Sequence, residues 1–160
     1  MEQVKFAVIR GNLSEVSFIA GLNVSTRGVD SAEQDSANDA VEVAKNVAIK
    51  CGCVVAITGA VDVISDGERV AKISNGVAAM SKITGTGCML SGVIGAYAGA
   101  VEDKFCAVVQ AVASMGIAGE LSYEKYAQIG TGSLHIGIID ALSKIDDAVI
   151  EQRGKIDYVK

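Results

Sequence analysis

The sequence predicts an α/β fold, and three patterns along its 160 residues support this class. An apolar strand pattern, a helical pattern and a second apolar strand follow one another in the first part of the chain. A hairpin signal comes next, and helical patterns dominate the second half. Strands that alternate with helices in this way are typical of a sheet covered by helices.

The first half of the chain contains a strand–helix–strand unit. Residues 4–9 read as a buried strand that leads into a polar loop, and residues 13–21 suit a short helix. Small and apolar residues recur on one helical face over residues 35–51. Residues 54–58 form an uninterrupted apolar and β-branched run. This composition is typical of a parallel strand that is covered on both faces.

A β-hairpin is predicted around Asp66-Gly67. Two strand patterns, residues 61–65 and 68–74, flank this dipeptide. Aspartate followed by glycine suits the positive backbone angles at the centre of a two-residue hairpin turn. We therefore expect a tight connection between these two strands.

Helices are predicted for most of the remaining chain. Their approximate bounds are residues 87–101, 104–121 and 131–145. Residues 83–101 are apolar enough to suggest a membrane helix, but their glycine, alanine and serine content favours a buried, tightly packed helix. No strand is predicted after residue 74. The charged tail, residues 146–160, is expected to be a solvated helix or a frayed end.

Composition limits the classes of function. Half of the residues are hydrophobic, 21% are charged and the net charge is -5. Because this balance provides no basic field, neither nucleic acid nor a membrane surface is an expected partner, and small-molecule chemistry is favoured. The four cysteines lack the spacing of a metal site, and no apolar signal core opens the sequence. We expect a cytoplasmic protein with reduced thiols.

A glycine-rich turn precedes the first of the later helices. Gly85, Thr86 and Gly87 place backbone amides at a helix N-terminus, where they can hold an anion. The same glycines could instead serve only tight helix packing. Cys88 follows as one of the first helical residues, a position that favours the thiolate and would allow a base. A packing role for this cysteine is the alternative.

A second group of polar residues follows the first strand. Arg10 ends an apolar strand, which suggests that it meets a phosphate or a carboxylate. Asn12 and Glu15 have the NxxE spacing, which can direct an amide and a carboxylate to one hydrated Mg²⁺. Capping of the following helix by Asn12, with Glu15 in its first turn, would explain the same residues.

Together these motifs resemble the hydroxyethylthiazole kinases. The segments VIRGNLSE, RGVDS, VVAITG, the Asp-Gly hairpin and SNG…ITGTGCMLSG occur in the order found in that family. The resemblance covers nearly the whole chain and corresponds to the C-terminal part of those enzymes. It implies a ribokinase-like three-layer sandwich and transfer of the γ-phosphoryl group of ATP to the alcohol of 4-methyl-5-(2-hydroxyethyl)thiazole. It also implies Mg²⁺ and a homotrimer.

The resemblance assigns roles to individual residues. It implies ATP contacts for Arg10, Thr58 and Asn12, and a thiazole contact for Gly85. Gly85, Thr86 and Gly87 would form the anion hole, with Cys88 where most ribokinase-like relatives carry an aspartate base. Glu15 and Asn12 would organise Mg²⁺. The GTGC motif favours the thiazole branch over the sister hydroxymethylpyrimidine and pyridoxal kinases.

The sequence departs from the family at its N-terminal side. Residues 1–160 are expected to form a single ribokinase-like domain that is N-terminally incomplete relative to the family. The absence of proline is consistent with a missing loop-rich segment. An alternative expectation is therefore a catalytically silent nucleotide-binding or assembly module.

Overall fold

The architecture is an α/β sandwich built on one mixed five-stranded sheet. The computed structural model describes residues 4–21 and 33–159. The strands are β1 (Val8–Gly11), β2 (Val54–Ile57), β3 (Asp62–Ser65), β4 (Val70–Ile73) and β5 (Ile156–Val159). They lie side by side in chain order. β1 and β2 are parallel, whereas each later pair is antiparallel.

Helices cover both faces of the sheet. They are α1 (Leu13–Ala20), α2 (Glu33–Cys51), α3 (Thr86–Ala100), α4 (Lys104–Tyr126), α5 (Thr131–Leu142) and α6 (Asp147–Arg153). A short 3-10 helix, Ala78–Lys82, lies before α3. The α/β class predicted from the sequence is confirmed.

The side-chain alternation of the strands builds two separate cores. Val55 and Ile57 of β2 pack with buried residues of α1 and α2. Val54 and Ala56 face the opposite side and join a larger cluster with α3, α4 and α5. All four residues of β2 are buried, as expected for a strand covered on both faces. The result is three layers, with the sheet in the middle.

Helix α4 is the central element of the larger core. Its N-cap, Asp103, accepts hydrogen bonds from the backbone N–H groups of Phe105 and Cys106. Arg69, in the hairpin turn, pairs with both Asp103 and Asp66 at 2.7 Å, so the turn is held against the start of the helix. Within the described ranges, α4 is the helix with the length and composition of a membrane span. However, 83% of its most apolar 18-residue stretch is buried inside the protein.

Three sequence predictions of local structure were wrong. The hairpin exists, but its connection has four residues, 66–69, because Ser65 pairs with Val70. Only Gly67 there has a positive φ, and the Asp66 side chain instead accepts hydrogen bonds from two backbone N–H groups. A strand does follow residue 74: β5 pairs with β4. Most of β5 is exposed, so its sequence carries little apolar signal.

The third correction concerns α3. Only Leu90 and Ile94 of this helix are buried, so it is not the tightly packed helix that its composition suggested. Glycines 92, 95 and 99 have open space where a Cβ would lie. The small residues thus face outward instead of permitting a close helix contact within the described part of the chain.

Candidate functional site

The carboxyl ends of the two parallel strands bring Arg10 and Thr58 together. β1 and β2 run in register, with Gly11 opposite Ile57, so both strands end at the same edge of the sheet. The Thr58 backbone N–H donates to the Gly11 carbonyl at 2.9 Å. One Arg10 guanidinium nitrogen, Nη2, donates to Thr58 Oγ1 at 2.9 Å. This edge is where α/β sheets commonly form ligand crevices.

Arg10 was predicted to stand at the end of a first strand that covers residues 4–9. It lies instead inside β1, which begins at Val8 and continues through Gly11. The strand position fixes the Arg10 backbone by parallel pairing opposite Ala56. The guanidinium is therefore presented from a rigid element.

The glycine-rich turn approaches the same guanidinium. Gly85 is the N-cap of α3 and has a φ of 95°, a conformation that favours glycine. A Cβ at Gly87 would lie 2.9 Å from Arg10 Nη2 and 3.1 Å from Arg10 Nη1. Glycine at position 87 thus allows the Arg10 guanidinium to lie directly against the first turn of α3, and a side chain there would make the guanidinium shift.

Arg10, Thr58 and Gly87 line one cavity of about 710 Å³, whereas Gly85 is not among its lining residues. Arg10, Thr58, Gly59, Asp62, Thr86 and Gly87 form its polar part. The other part is made by the loop after β4, the 3-10 helix and one face of α4. Its lining includes Asn75, Gly76, Val77, Met80, Val112, Met115 and Gly116. A cavity that joins a polar part to an apolar part suits a ligand with a flat apolar group and a charged group.

Asp62 adds a carboxyl group to the polar part. Its Oδ1 accepts a hydrogen bond from the Gly59 backbone N–H at 2.9 Å. Burial raises the pKa of Asp62 from 3.8 to about 6, although the Gly59 hydrogen bond and the charge of Arg10 act in the opposite direction. A partly buried carboxyl group beside a cationic side chain in a cleft is a frequent feature of functional sites.

The raised pKa of Asp62 predicts a stability change with pH. The unfolded chain releases this proton near its ordinary pKa of about 4, whereas the folded chain keeps it until a pH of about 6. Between these values the unfolded state binds fewer protons, so the free energy of unfolding should fall as the pH rises. We expect Asp62→Asn to remove this contribution. Chemical denaturation of both proteins from pH 4 to 7 measures the free energy of unfolding. A difference between wild type and Asp62→Asn that stays constant across this pH range would contradict the prediction.

Cys88 lies near the cavity but is not among the residues that line it. It is the third residue of α3, after Thr86 and Gly87, and its side chain is exposed. Its position in the first turn is the one expected from the sequence. Cys88 is also absent from the lining of a second cavity, which lies between β1 and α3.

Comparison with known proteins identifies the family. The model of the "Hydroxyethylthiazole kinase family" matches residues 1–148. This chain belongs to the hydroxyethylthiazole kinase family. It is 51% identical over 160 residues to a hydroxyethylthiazole kinase of Ruminiclostridium cellulolyticum, and 50% identical over 162 residues to one of Clostridium beijerinckii. Each alignment covers 99% of this chain and 59% of the relative.

A solved structure supports the same assignment. The hydroxyethylthiazole kinase of Pyrococcus horikoshii OT3 superimposes with a TM-score of 0.81 at 33% identity. The match covers 96% of this chain and 55% of that protein. The chain therefore spans a little over half the length of the kinases that it matches, and its fold follows theirs throughout the matched part.

Kinases typically use a divalent metal ion, and Asn12 and Glu15 are the residues to test for it. Asn12 Oδ1 accepts from the Glu15 backbone N–H at 2.8 Å, and Glu15 Oε2 accepts from the Asn12 backbone N–H at 2.7 Å. This reciprocal pair is a capping box at the start of α1. In residues 4–21 and 33–159, no group of three or more His, Cys, Asp or Glu side chains could hold a metal ion. One carboxylate still fits a kinase site, since Mg²⁺ is commonly held by one or two carboxylates with phosphates and water.

Sequence reasoning missed several residues of this kinase-family site. Asp62, Asn75 and Gly116 line the cavity, but the sequence analysis gave none of them a role. Asp62 had a usable signal, because an acidic residue closely follows the Thr-Gly pair at a buried strand end. Asn75 belongs to the SNG segment that contributed to the family resemblance, whereas Gly116 had no signal, since it meets Asn75 only through the packing of α4 on the loop after β4.

Proposed function

We propose that this chain provides the nucleotide site of a hydroxyethylthiazole kinase. The reaction would transfer the γ-phosphoryl group of ATP to the hydroxyethyl alcohol of 4-methyl-5-(2-hydroxyethyl)thiazole. The observation that carries the proposal is the convergence of Arg10, Thr58 and Gly87 from three different elements on one cavity. The thiazole alcohol is proposed as the acceptor because the relatives are named hydroxyethylthiazole kinases.

The two parts of the cavity suit the two ends of ATP. Arg10 provides guanidinium N–H donors for phosphate oxygens, and the first turn of α3 adds backbone amides at a positive helix end. Met80, Val112 and Met115 offer an apolar surface for a purine base. The polarizable thioether of methionine makes favourable contacts with aromatic rings. Thr58, which holds Arg10 at 2.9 Å, orients the guanidinium toward the phosphates.

In the proposed transfer, the alcohol oxygen attacks the γ-phosphorus and the bond from that phosphorus to ADP breaks. The backbone amides of Gly85, Thr86 and Gly87 would hold the transferred phosphoryl group, which carries negative charge. The Cys88 thiolate would accept the proton of the alcohol. Gly85 would also contact the thiazole. ADP leaves with the electron pair of the broken bond.

Mg²⁺ forms part of the proposal through Glu15 and Asn12. Bound with ATP, the ion would neutralise charge on the phosphates. Glu15 supplies a carboxylate of the kind that Mg²⁺ prefers, and Asn12 holds that carboxylate in the capping box. Asn12 would in addition contribute to the ATP side of the site, because it directly follows the strand that carries Arg10.

An assay of phosphoryl transfer tests this function. The chain is mixed with ATP, Mg²⁺ and the thiazole alcohol, and the phosphorylated thiazole is measured by mass spectrometry. We expect product that depends on all three components. Parallel reactions with hydroxymethylpyrimidine and pyridoxal serve as controls. Turnover of only one of those two alcohols would replace the thiazole assignment with a sister kinase.

A second candidate is a nucleotide-binding module without turnover. The exposure of Cys88 favours it, because the thiol lines neither of the two cavities described beside α3. Calorimetric titrations with ATP and with the thiazole alcohol separate the two candidates. Binding of ATP without binding of the alcohol supports the module, and turnover by the chain alone excludes it.

The proposal includes a homotrimer in the cytoplasm. Exposed isoleucines on and before α5, Ile129, Ile136 and Ile139, provide apolar surface of the kind that subunit contacts cover. The cysteines at positions 51, 53, 88 and 106 are unpaired, which suits a reducing compartment. Light scattering of the purified chain would give three times its 16.4 kDa mass if the trimer forms.

A further inference from the structure

A partly buried hydrogen-bond cluster lies directly behind the wall of the nucleotide cavity. The wall is the loop Asn75-Gly76-Val77, which follows β4. The cluster joins this loop to Glu120 of α4 and to Arg153 and Lys155 near the C-terminus. Neither Glu120 nor the C-terminal residues line the cavity.

Glu120 holds the loop through the backbone. Its Oε1 accepts from the Gly76 N–H at 2.9 Å, from Lys155 Nζ at 2.9 Å and from Asn75 Nδ2 at 3.4 Å. These contacts lower the pKa of Glu120 below its ordinary value in spite of its burial. The carboxylate is therefore charged at neutral pH and holds three donors, two of which, the Gly76 N–H and Asn75 Nδ2, belong to the cavity wall.

The Asn75 side chain fixes the same loop from the other direction. Its Oδ1 accepts from the Lys155 backbone N–H at 2.7 Å, and its Nδ2 donates to the Arg153 carbonyl at 2.9 Å. Asn75 is 8% exposed, so these bonds are shielded from water. Two bonds from one amide to one backbone segment define the position of the loop relative to β5.

Gly116 allows this loop to lie directly against α4. A Cβ at Gly116 would be 2.6 Å from Asn75 Cβ and 2.8 Å from the Asn75 carbonyl carbon. Gly116 itself lines the cavity beside Met115. The distance between the loop and α4 therefore sets the width of the apolar part of the cavity.

From these contacts we infer that Glu120 is a positioning residue for nucleotide binding and that the segment after α6 works with it. Glu120 acts through its hydrogen bond to the Gly76 amide. This bond fixes the backbone next to Val77, another residue of the cavity wall. The C-terminal segment contributes the second attachment through Asn75. The inference rests on the proposed function, since it names the nucleotide as the ligand of this cavity.

Three variants test the inference. Glu120→Ala removes the acceptor for Gly76. Glu120→Gln keeps an oxygen acceptor but loses the charge that faces Lys155. Glu124→Ala is the matched control, because Glu124 lies one helical turn away and pairs only with the Arg153 side chain on the surface.

We expect Glu120→Ala to raise the KM for ATP about tenfold, because hydrogen bonds to charged groups contribute roughly 1.5–3 kcal/mol and tenfold equals about 1.4 kcal/mol. The kcat and the KM for the alcohol should remain nearly unchanged. Amide hydrogen exchange at Gly76 should accelerate in the same variant. Glu120→Gln should lie between wild type and Glu120→Ala in both measurements, and Glu124→Ala should match wild type.

An unchanged exchange rate at Gly76 in folded Glu120→Ala would overturn the inference, and so would equal losses in the ATP and alcohol constants. If Glu120→Ala does not fold, the amide exchange rate at Gly76 in Glu120→Gln tests the inference instead. Should wild type show no kinase activity, the proposed function fails on its own. The ATP dissociation constant and the Gly76 exchange rate then still test the role of Glu120.

Discussion

Cys88→Ala is expected to lower turnover by about 10²–10⁴-fold, the range for loss of a general base. The affinity for ATP should stay near that of wild type, because Cys88 is not among the residues that line the nucleotide cavity. The thiol acts on the acceptor alcohol in the proposed transfer, so the loss should appear in kcat. Steady-state kinetics at saturating ATP measure the effect.

Cys88→Asp is the informative companion variant. A carboxylate in the first turn of α3 can accept the same proton, and the helix N-terminus stabilises its charge. We expect it to retain substantial activity. Full turnover by folded Cys88→Ala would contradict the role of Cys88 as the base, while the nucleotide site and the kinase assignment would survive.

Gly87→Ala is expected to raise the dissociation constant for ATP at least about tenfold, since hydrogen bonds to charged groups contribute roughly 1.5–3 kcal/mol. The added methyl carbon would lie 2.9 Å from Arg10 Nη2 and must displace the guanidinium. Displacement would break the bond to Thr58 Oγ1 and move the cationic group away from the phosphates. Calorimetric titration with ATP measures the loss.

Gly92→Ala provides the control in the same helix. No atom lies within 4 Å of the position that its Cβ would take. Alanine should leave the ATP affinity unchanged and stabilise the chain by about 0.5–1 kcal/mol, because glycine is unfavourable inside a helix. Equal ATP affinities for Gly87→Ala and wild type would show that the guanidinium position does not matter for the nucleotide.

The sequence predicted secondary structure best where a strand is covered on both faces of the sheet. The run over β2 was predicted as a covered parallel strand, and Val54, Val55, Ala56 and Ile57 are all buried. The hairpin was also identified, because Asp and Gly act through local backbone preferences. Its loop length was not, since the Asp66 side chain competes with the two-residue turn by bonding the backbone at Glu68 and Arg69.

The weakest signals came from exposed elements. β5 is largely solvent-facing, so its four residues lack the apolar run that identified β2. The small residues of α3 suggested burial, but a glycine-rich face is equally compatible with open space around it. Composition alone cannot separate these cases, because both depend on what lies opposite the helix.

The sequence identified site residues whose own side chain indicates a function. It did not identify contacts that form only when distant elements pack together. Arg10 was identified because a cation that ends an apolar strand needs an anionic partner. The contact of Arg10 with Gly87 joins residues that are far apart in the chain, and no local pattern reports it. Asn12 and Glu15 illustrate a third case, since the capping box and the proposed metal role use the same two side chains.

Titration of the isotope-labelled chain with ATP, followed by NMR of backbone amides, tests the nucleotide site most directly. We predict saturable shifts at Thr58, Gly76, Thr86 and Gly87, the amides that border the cavity. The amides of α2, which packs on the opposite face of the sheet, should serve as the internal reference and remain nearly unshifted. Saturable shifts that avoid the cavity, or no shifts at millimolar ATP, would contradict the account.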